Sequence, residues 1–473
     1  MILFHVSKER GIFVNYIELS VFIAYFVFMV AIGLYFFSKS KGAGEKDYFL
    51  GGRNMGAWVS ALSAGASDMS AWVLMGLPAS IYLSGMGQTW IAIGLGIGYA
   101  VSWIFMAPRL RRFSIAANDS ITIPQYLTNR FLSKNKSLQI LSAIIFLVAY
   151  TIYAASSIKA CGTLFNTVMD IDPTVAMYIA AFLGGFSAVC WTDFFQGMIM
   201  LAALLIAPLF ALALAKAGDG AATGAALPDG FFNFFTTPQD IISGLGWGLG
   251  YFGMPHIIIR FMSLKSEKEL RKSSVIGISW TTIILIMSAL TAIAGRLYLG
   301  EIEDSSTVFI TMVRRIFPAL VSGLLLSAIL SAAMSTADSQ LLAASSAFAS
   351  DVYKPVIRKK ASDSEMLWAG RIVVIVIAVV ALMIASDPNS GSIMGLVENA
   401  WGVFGAAFGP VILLSLFWKR LTFGGTVAGI AVGAAVDILW LVFLSSTDIY
   451  EIVPGFAAGL LAAVVVSLLS KGP

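Results

Sequence analysis

An all-α, polytopic membrane protein of about 13 spanning helices is the fold class that this sequence predicts, on the length rule for crossing hydrocarbon. Three observations carry that prediction. Of the 473 residues, 58% are hydrophobic and only 12% charged, with a mean hydropathy of +0.87, whereas an ordinary soluble domain is about 25% charged. Apolar stretches such as 21–37 and 372–385 recur along the whole chain, and each reaches or approaches the roughly 20 residues that cross about 30 Å of hydrocarbon. Lysines and arginines gather in alternate intervals between these stretches, as they do on the cytoplasmic side of polytopic chains.

Taken in order, apolar runs bounded by breakers place spans near 16–38, 58–83, 88–108, 137–165, 174–191, 192–216, 240–260, 273–299, 307–350 with a shorter lead-in, 366–386, 393–418, 422–444 and 450–470. With the N-terminus outside, 23 of the 30 lysines and arginines fall on the cytoplasmic side, within 39–53, 109–136, 260–272, 354–371 and 419–420 and at Lys471. Lys8, Arg10, Lys216, Arg296, Arg314 and Arg315 fall outside, and Lys159 lies within a helix. The asymmetry predicts an odd number of spans in the plasma (cytoplasmic, or inner) membrane, with the N-terminus outside and the C-terminus cytoplasmic. The first 15 residues lack a basic region, apolar core and cleavage site in the order of a signal peptide, so the N-terminus is read as retained. No long linker or low-complexity tract divides the chain, and residues 1–473 read as a single transmembrane domain.

Several function classes drop out. A formal charge of +4 with basic residues in short inter-span runs argues against nucleic acid as a partner. Lipids and a small solute are the partners indicated, and no obligate protein partner is. Cys161 and Cys190 both sit in apolar surroundings and indicate neither a disulfide framework nor a Cys-rich metal site. The G-x-S-x-G, H-E-x-x-H and G-K-[ST] signatures are absent, and His5 and His256 are the only histidines, so the chain does not read as an enzyme. The G-x-G-x-x-G from Gly248 to Gly253 lacks the strand and downstream acid of a dinucleotide site, so close packing or a helix break is the better reading.

Two segments look interrupted. One runs from Ser60 through Asp68-Met-Ser-Ala to Pro78, the other from Ser243 through Trp247 and Tyr251 to Pro255. Both are rich in Gly or Ser, poor in β-branched residues and closed by Pro. If they open two five-span units, 58–216 and 240–418, those units enter the membrane from opposite sides, which is how inverted-repeat transporters build a midplane site. Two unrelated kinked helices are the plain alternative.

Ionisable groups at membrane depth each call for a partner. Asp68 lies in the first interruption, Asp193 at the start of a span, and Asp338 within Ser335-Thr-Ala-Asp-Ser339. Ser335, Asp338 and Ser339 share a helix face by spacing. Such oxygens suit a hard alkali cation, or else bond back to their own helix. Asp437 reads as helix packing or lumen exposure, and Lys159 as a snorkelling side chain. Arg53, in Gly-Gly-Arg before the first interruption, reads as a gate or an interfacial charge. Tyr153, Trp247 and Tyr251 would ordinarily be packing or belt aromatics. A channel would want a continuous polar face in several spans, where this chain has isolated breaks.

At these residues the sequence resembles the solute:sodium symporter family, and most closely its proline-carrying members. The likeness runs through 47–53, 60–78, 191–193, 246–256, 326–353, 406–410 and 450–456, nearly the whole chain. It implies a leucine-transporter-type five-plus-five inverted repeat over spans 2–11, with one extra N-terminal and two extra C-terminal helices, alternating access, and import of L-proline coupled to Na+. Another amino acid, a carboxylate or a sugar is the rival solute. Carried across by position, the resemblance implies a sodium site of the Ala66, Met69 and Ala332 carbonyls with the Ser335 and Thr336 hydroxyls. It likewise implies substrate contacts at Ser70, Trp72, Tyr153, Trp247, Tyr251 and Pro255, with Asp68 and Arg53 in coupling and gating. Two departures stand out: Ala71 where the pattern has Gly, and Asp338 where it has Ser. The second resembles members with a further sodium site, so Asp193, Ser335, Asp338 and Ser339 are expected to hold a second cation or a proton.

Overall fold

The computed structural model describes residues 15–39, 53–133, 135–172, 174–177, 189–218, 227 and 229–470. The N-terminus read as retained, most of the expected fifth span, the 47–52 part of the resemblance, part of the 217–238 interval expected outside and Lys471 lie outside them. The described residues are almost wholly helical, with one isolated bridge between Met55 and Leu264. In chain order the helices are α1 (Tyr16–Lys39), α2 (Ala57–Asp68), α3 (Gly76–Ser84), α4 (Thr89–Val101), α5 (Ala107–Ala116), α6 (Ile123–Arg130), α7 (Ser137–Met169) and α8 (Val189–Ala217). There follow α9 (Pro238–Gly246), α10 (Pro255–Ser263), α11 (Glu267–Leu299), α12 (Val308–Ile316), α13 (Ala319–Ser346), α14 (Asp363–Ser386), α15 (Ile393–Phe417), α16 (Phe423–Phe443) and α17 (Ile452–Leu469).

Nine helices among the described residues are long and apolar enough to cross a membrane, fewer than the 13 expected. The shortfall has a physical cause at two places: the expected second and seventh spans are each broken into half-helices too short to cross alone. α2 stops at Asp68; Met69 and Ser70 take non-helical angles, and a 3-10 turn over Ala71–Val73 leads into α3. The Ser70 hydroxyl accepts from Trp72 N (3.4 Å) and so caps the next turn. The second break is a 3-10 stretch over Trp247–Phe252 between α9 and α10. Glycines at 244, 246, 248 and 250 weaken the helix there. Pro255 then forces Met254 into an extended conformation (ψ 105°).

Helix starts follow local chemistry. Thr237, Ser266, Ser362, Ser392 and Thr422 each accept the backbone N–H three residues on, a common N-cap device. α2 packs on α8, α10, α11 and α13, while the 3-10 stretch packs on α4 and α15. α13 is buried along most of its length. The two breaks thus lie at the centre of the bundle.

The Gly248–Gly253 glycines serve packing, as the sequence suggests. A Cβ on Gly248 would stand 2.3 Å from the Gly94 carbonyl oxygen, and one on Gly98 only 2.2 Å from that of Gly248. Backbone therefore lies against backbone where α4 crosses the break. Gly248→Ala is expected to cost about 1–3 kcal/mol by overpacking and to lower the thermal unfolding midpoint in detergent. Gly56→Ala, where a Cβ meets nothing within 4 Å, is the control and should unfold as the parent does.

Candidate functional site

Because α2 ends early, Ser70 N donates to Asp68 O (2.9 Å) rather than continuing the helical ladder. The Ala66 carbonyl is instead met from α13: Ser335 Oγ donates to it at 2.7 Å and Thr336 Oγ1 at 3.4 Å. Ser335 Oγ also reaches Ala332 O (3.2 Å). Ala66, Ala332, Ser335 and Thr336 thus form one buried oxygen group, four of the five residues that the resemblance assigns to sodium. Met69 stands at the break itself, one turn on, with its N–H donating to Gly65 O (2.8 Å).

The aromatic set converges on Asp68. Tyr251 Oη donates to Asp68 Oδ2 (2.6 Å), while Trp72 Nε1 (3.2 Å) and Tyr153 Oη (3.4 Å) donate to its carbonyl. Asp68 is fully buried, and its Oδ1 has no hydrogen-bond partner among the described residues. Trp247 enters through a different neighbour: its carbonyl accepts from Trp401 Nε1 (2.8 Å), and its ring lies over Tyr450 with centroids 5.0 Å apart. Tyr251 meets the Trp401 ring edge-on at 5.1 Å. Pro255 is buried and opens α10. Six predicted substrate residues therefore line the two breaks, and none is a lipid-facing belt aromatic.

The expected second cation group divides. Asp193 Oδ2 accepts from Ser63 Oγ (2.6 Å) and from Arg260 Nη2 (3.4 Å), and the same Nη2 donates to Ser339 Oγ (2.7 Å). Arg260 Nε donates to Ser63 Oγ (3.1 Å). Asp338 couples electrostatically to Tyr25 of α1. A correction follows: Arg260 is not a cytoplasmic loop charge. α10 carries it inward to 4% exposure, because the helix continues past the expected boundary to Ser263 and a buried acid awaits it. Asp193 thus has a resident cation as partner, which sequence reasoning missed. The run of Ile257, Ile258 and Ile259 before Arg260 and Phe261 and Met262 after it was the available signal.

Arg53 is held at the mouth that the sequence assigns to the cytoplasmic side. It has φ +55°, a left-handed angle that costs a non-glycine residue about 1 kcal/mol. Its Nε donates to Asp119 Oδ1 (2.9 Å), Nη1 to Met262 O (2.6 Å) and Ser114 Oγ (3.3 Å), and Nη2 to Ser120 O (2.8 Å). Burial pushes its pKa below the ordinary arginine value and Asp119 pulls it back. Beside it Met55 N donates to Ser263 O (3.2 Å), and Lys265 N to Met55 O (3.1 Å). Ala57 N donates to Glu269 Oε2 (3.0 Å). The chain before α2 is thereby clasped to the chain after α10. Lys159 behaves as a snorkelling side chain, its Nζ donating to Ser390 Oγ (3.0 Å) at the end of its reach.

Removing one member of the buried ion pair tests that arrangement. Arg260→Met should destabilise the fold by about 3–5 kcal/mol by leaving the Asp193 carboxylate uncompensated. Arg260→Met with Asp193→Leu should recover most of that loss, read as thermal midpoints in detergent.

The sequence profile described as the Sodium:solute symporter family matches residues 48–433. The high-affinity proline transporter PutP of Bacillus subtilis is 43% identical over 459 residues, 94% of this chain and 96% of its own. The sodium/proline symporter of Haemophilus influenzae is 44% identical over 484 residues, 96% and 95% of the two chains. Among solved structures, a sodium-coupled sialic acid symporter in a substrate-bound, outward-open state superposes with a TM-score of 0.77 at 21% identity, covering 97% of this chain and 99% of the other. At that identity the likeness speaks for the fold.

Proposed function

From the premise that this chain belongs to the sodium:solute symporter family, we propose that it imports L-proline by sodium-coupled symport with alternating access. The observation that carries the reading is the Ala66 carbonyl, freed by the end of α2 and met by Ser335 and Thr336 of α13. That oxygen group, with Met69 and Ala332, is the proposed sodium seat. Seating the ion requires Ser335 to turn its proton away from Ala66 so that both oxygens present lone pairs. The contact between α2 and α13 is then made through the ion, and the break at Asp68–Ser70 is ordered with it.

Proline follows into the adjoining space. Its carboxylate suits the N–H groups exposed where α3 begins, and its ring suits the faces of Trp247 and Tyr251. Ser70, Trp72, Tyr153 and Pro255 shape the rest, with Asp68 tying the tyrosine of one break to the backbone of the other. Arg53 closes the inner mouth. The repeats are assigned to 58–216 and 240–418 within about 13 spans, counting each broken pair as one crossing. The N-terminus is assigned to the outside and the C-terminus to the cytoplasm. Asp193 and Ser339 are already served by Arg260, so this reading couples a single sodium through Ser335, without a second ion shared with Asp338.

The energetics are sufficient. One charge falling through ~100 mV releases ~2.3 kcal/mol and a tenfold sodium gradient adds ~1.4 kcal/mol, together enough for roughly 500-fold accumulation of a zwitterion.

The test is uptake of radiolabelled proline into proteoliposomes under an inward sodium gradient, against equimolar potassium, at negative internal potential. Sodium-dependent accumulation is expected. Ser335→Ala should weaken sodium dependence by roughly tenfold or more, the loss of about 1–2 kcal/mol of ligation. Trp247→Ala should raise the proline concentration needed. Sodium binding without proline uptake would move the search to another amino acid, a carboxylate or a sugar; proline uptake indifferent to sodium would end the reading.

A further inference from the structure

Outside the two breaks, two carboxylates meet where α15, α16 and α17 pack together, with a third lining the cavity beside them. Asp437 of α16 is fully buried, and neither of its side-chain oxygens has a hydrogen-bond partner among the described residues. Glu451, which precedes α17, is 6% exposed and its Oε1 is likewise unpartnered. No described lysine or arginine forms an ion pair with either.

Their meeting is built into the packing. A Cβ on Gly402 of α15 would stand 2.9 and 3.4 Å from the two Asp437 oxygens and 3.3 Å from Glu451 Cγ. Glycine at 402 therefore leaves the space into which both acids turn. Glu398, one helical turn earlier on the same face, and Glu451 line a cavity of about 610 Å³ whose wall also holds Asp240, Ser243 and Asp448. Tyr450 links this cavity to the Trp247 ring that it stacks on, and its Oη donates to Glu398 O (2.8 Å).

Burying like charges face to face without a counter-charge is strongly unfavourable, and an unpartnered acid at membrane depth calls for a ligand. The ligand must be a cation that comes and goes, since no side chain among the described residues supplies one. Among the described residues no three acid, histidine or cysteine side chains stand close enough to chelate a metal together, which disfavours a divalent ion that needs several charged ligands. Two carboxylates and neighbouring backbone oxygens suit a hard monovalent ion.

We propose that Asp437 and Glu451 bind a sodium ion, entering through the cavity past Glu398, at a site separate from the Ser335 group. The ion sits behind Tyr450 and the Trp247–Trp401 stack, and its binding stiffens the outer wall of the proposed substrate space.

The experiment is equilibrium binding of radioactive sodium to the purified full chain in detergent, without proline. Wild type is expected to bind two ions per chain. Asp437→Asn and Glu451→Gln should each remove the same one, and Ser335→Ala the other. Retention of the Ser335-dependent ion shows that an acid variant is folded; should Asp437→Asn fail to fold, Glu451→Gln carries the test. Wild-type stoichiometry and affinity in both acid variants would overturn the proposal. So would loss of a titrating proton in those variants with sodium binding unchanged, since the acids would then hold protons. If Ser335→Ala alone leaves sodium binding intact, the coupling reading fails while the Asp437 site stands on its own arm.

Discussion

A backbone carbonyl cannot be left unanswered at membrane depth, and that constraint organises this molecule. An unbroken helix satisfies its own peptide groups, so a helix that stops in hydrocarbon exposes them at a cost of several kcal/mol each. α2 stops at Asp68. Ala66 O is answered by Ser335 and Thr336, and Asp68 O by Trp72, Tyr153 and the neighbouring amide of Ser70. Ser335, Thr336 and Tyr153 come from helices that must then be held beside the break, which explains why α7 and α13 are so deeply buried. The second break is answered more cheaply, with glycines that let the backbones of α4 and α15 approach and with the Trp401 indole donating to Trp247 O.

Charge follows the same logic one layer out. Arg260 bridges α10 to Asp193 of α8, Ser63 of α2 and Ser339 of α13. Four helices that also frame the Ser335 oxygen group are thereby fixed by one guanidinium, whose planar fork can serve several acceptors at once. Glu18 of α1 is handled similarly: it accepts from Ser322 Oγ (2.6 Å) and pairs with Arg314 (3.3 Å). α1, outside the proposed repeats, is thus pinned to α12 by an ion pair and to α13 by a hydrogen bond.

Most of the architecture was legible because hydrocarbon imposes a length rule, and because breaks leave a compositional mark in Ser, Gly and Pro. That Ser335 and Thr336 meet the Ala66 carbonyl was legible only through the family resemblance, since spacing alone left them free to bond back to their own helix. Arg260 was not legible from charge counting, which treats an arginine at a span's end as cytoplasmic. Its true position depends on a buried acid some 67 residues away in sequence, and no local pattern encodes that pairing. Asp437 reads from sequence as helix packing or lumen exposure, because Glu451 belongs to another part of the chain and meets it only across Gly402.

The two ends of α2 carry different duties, and this supplies a geometric account of coupling. Its first residue, Ala57, is bonded to Glu269, and the segment before it is clasped through Arg53 and Met55 to the chain at 262–265. Its last residues hold the Ala66 and Asp68 carbonyls. A 12-residue helix is about 18 Å long and axially stiff. A change in how Ser335 meets Ala66 therefore cannot be absorbed within the helix; it tilts or shifts the whole rod, and the inner clasp feels it. Conversely, releasing Arg53 from Asp119 and Met262 frees one end of that rod and alters the oxygen group at the other. The Ser335–Ala66 contact and the clasp at Arg53 and Met55 are thus two constraints on one rigid body, and neither needs a chain of side-chain contacts between them.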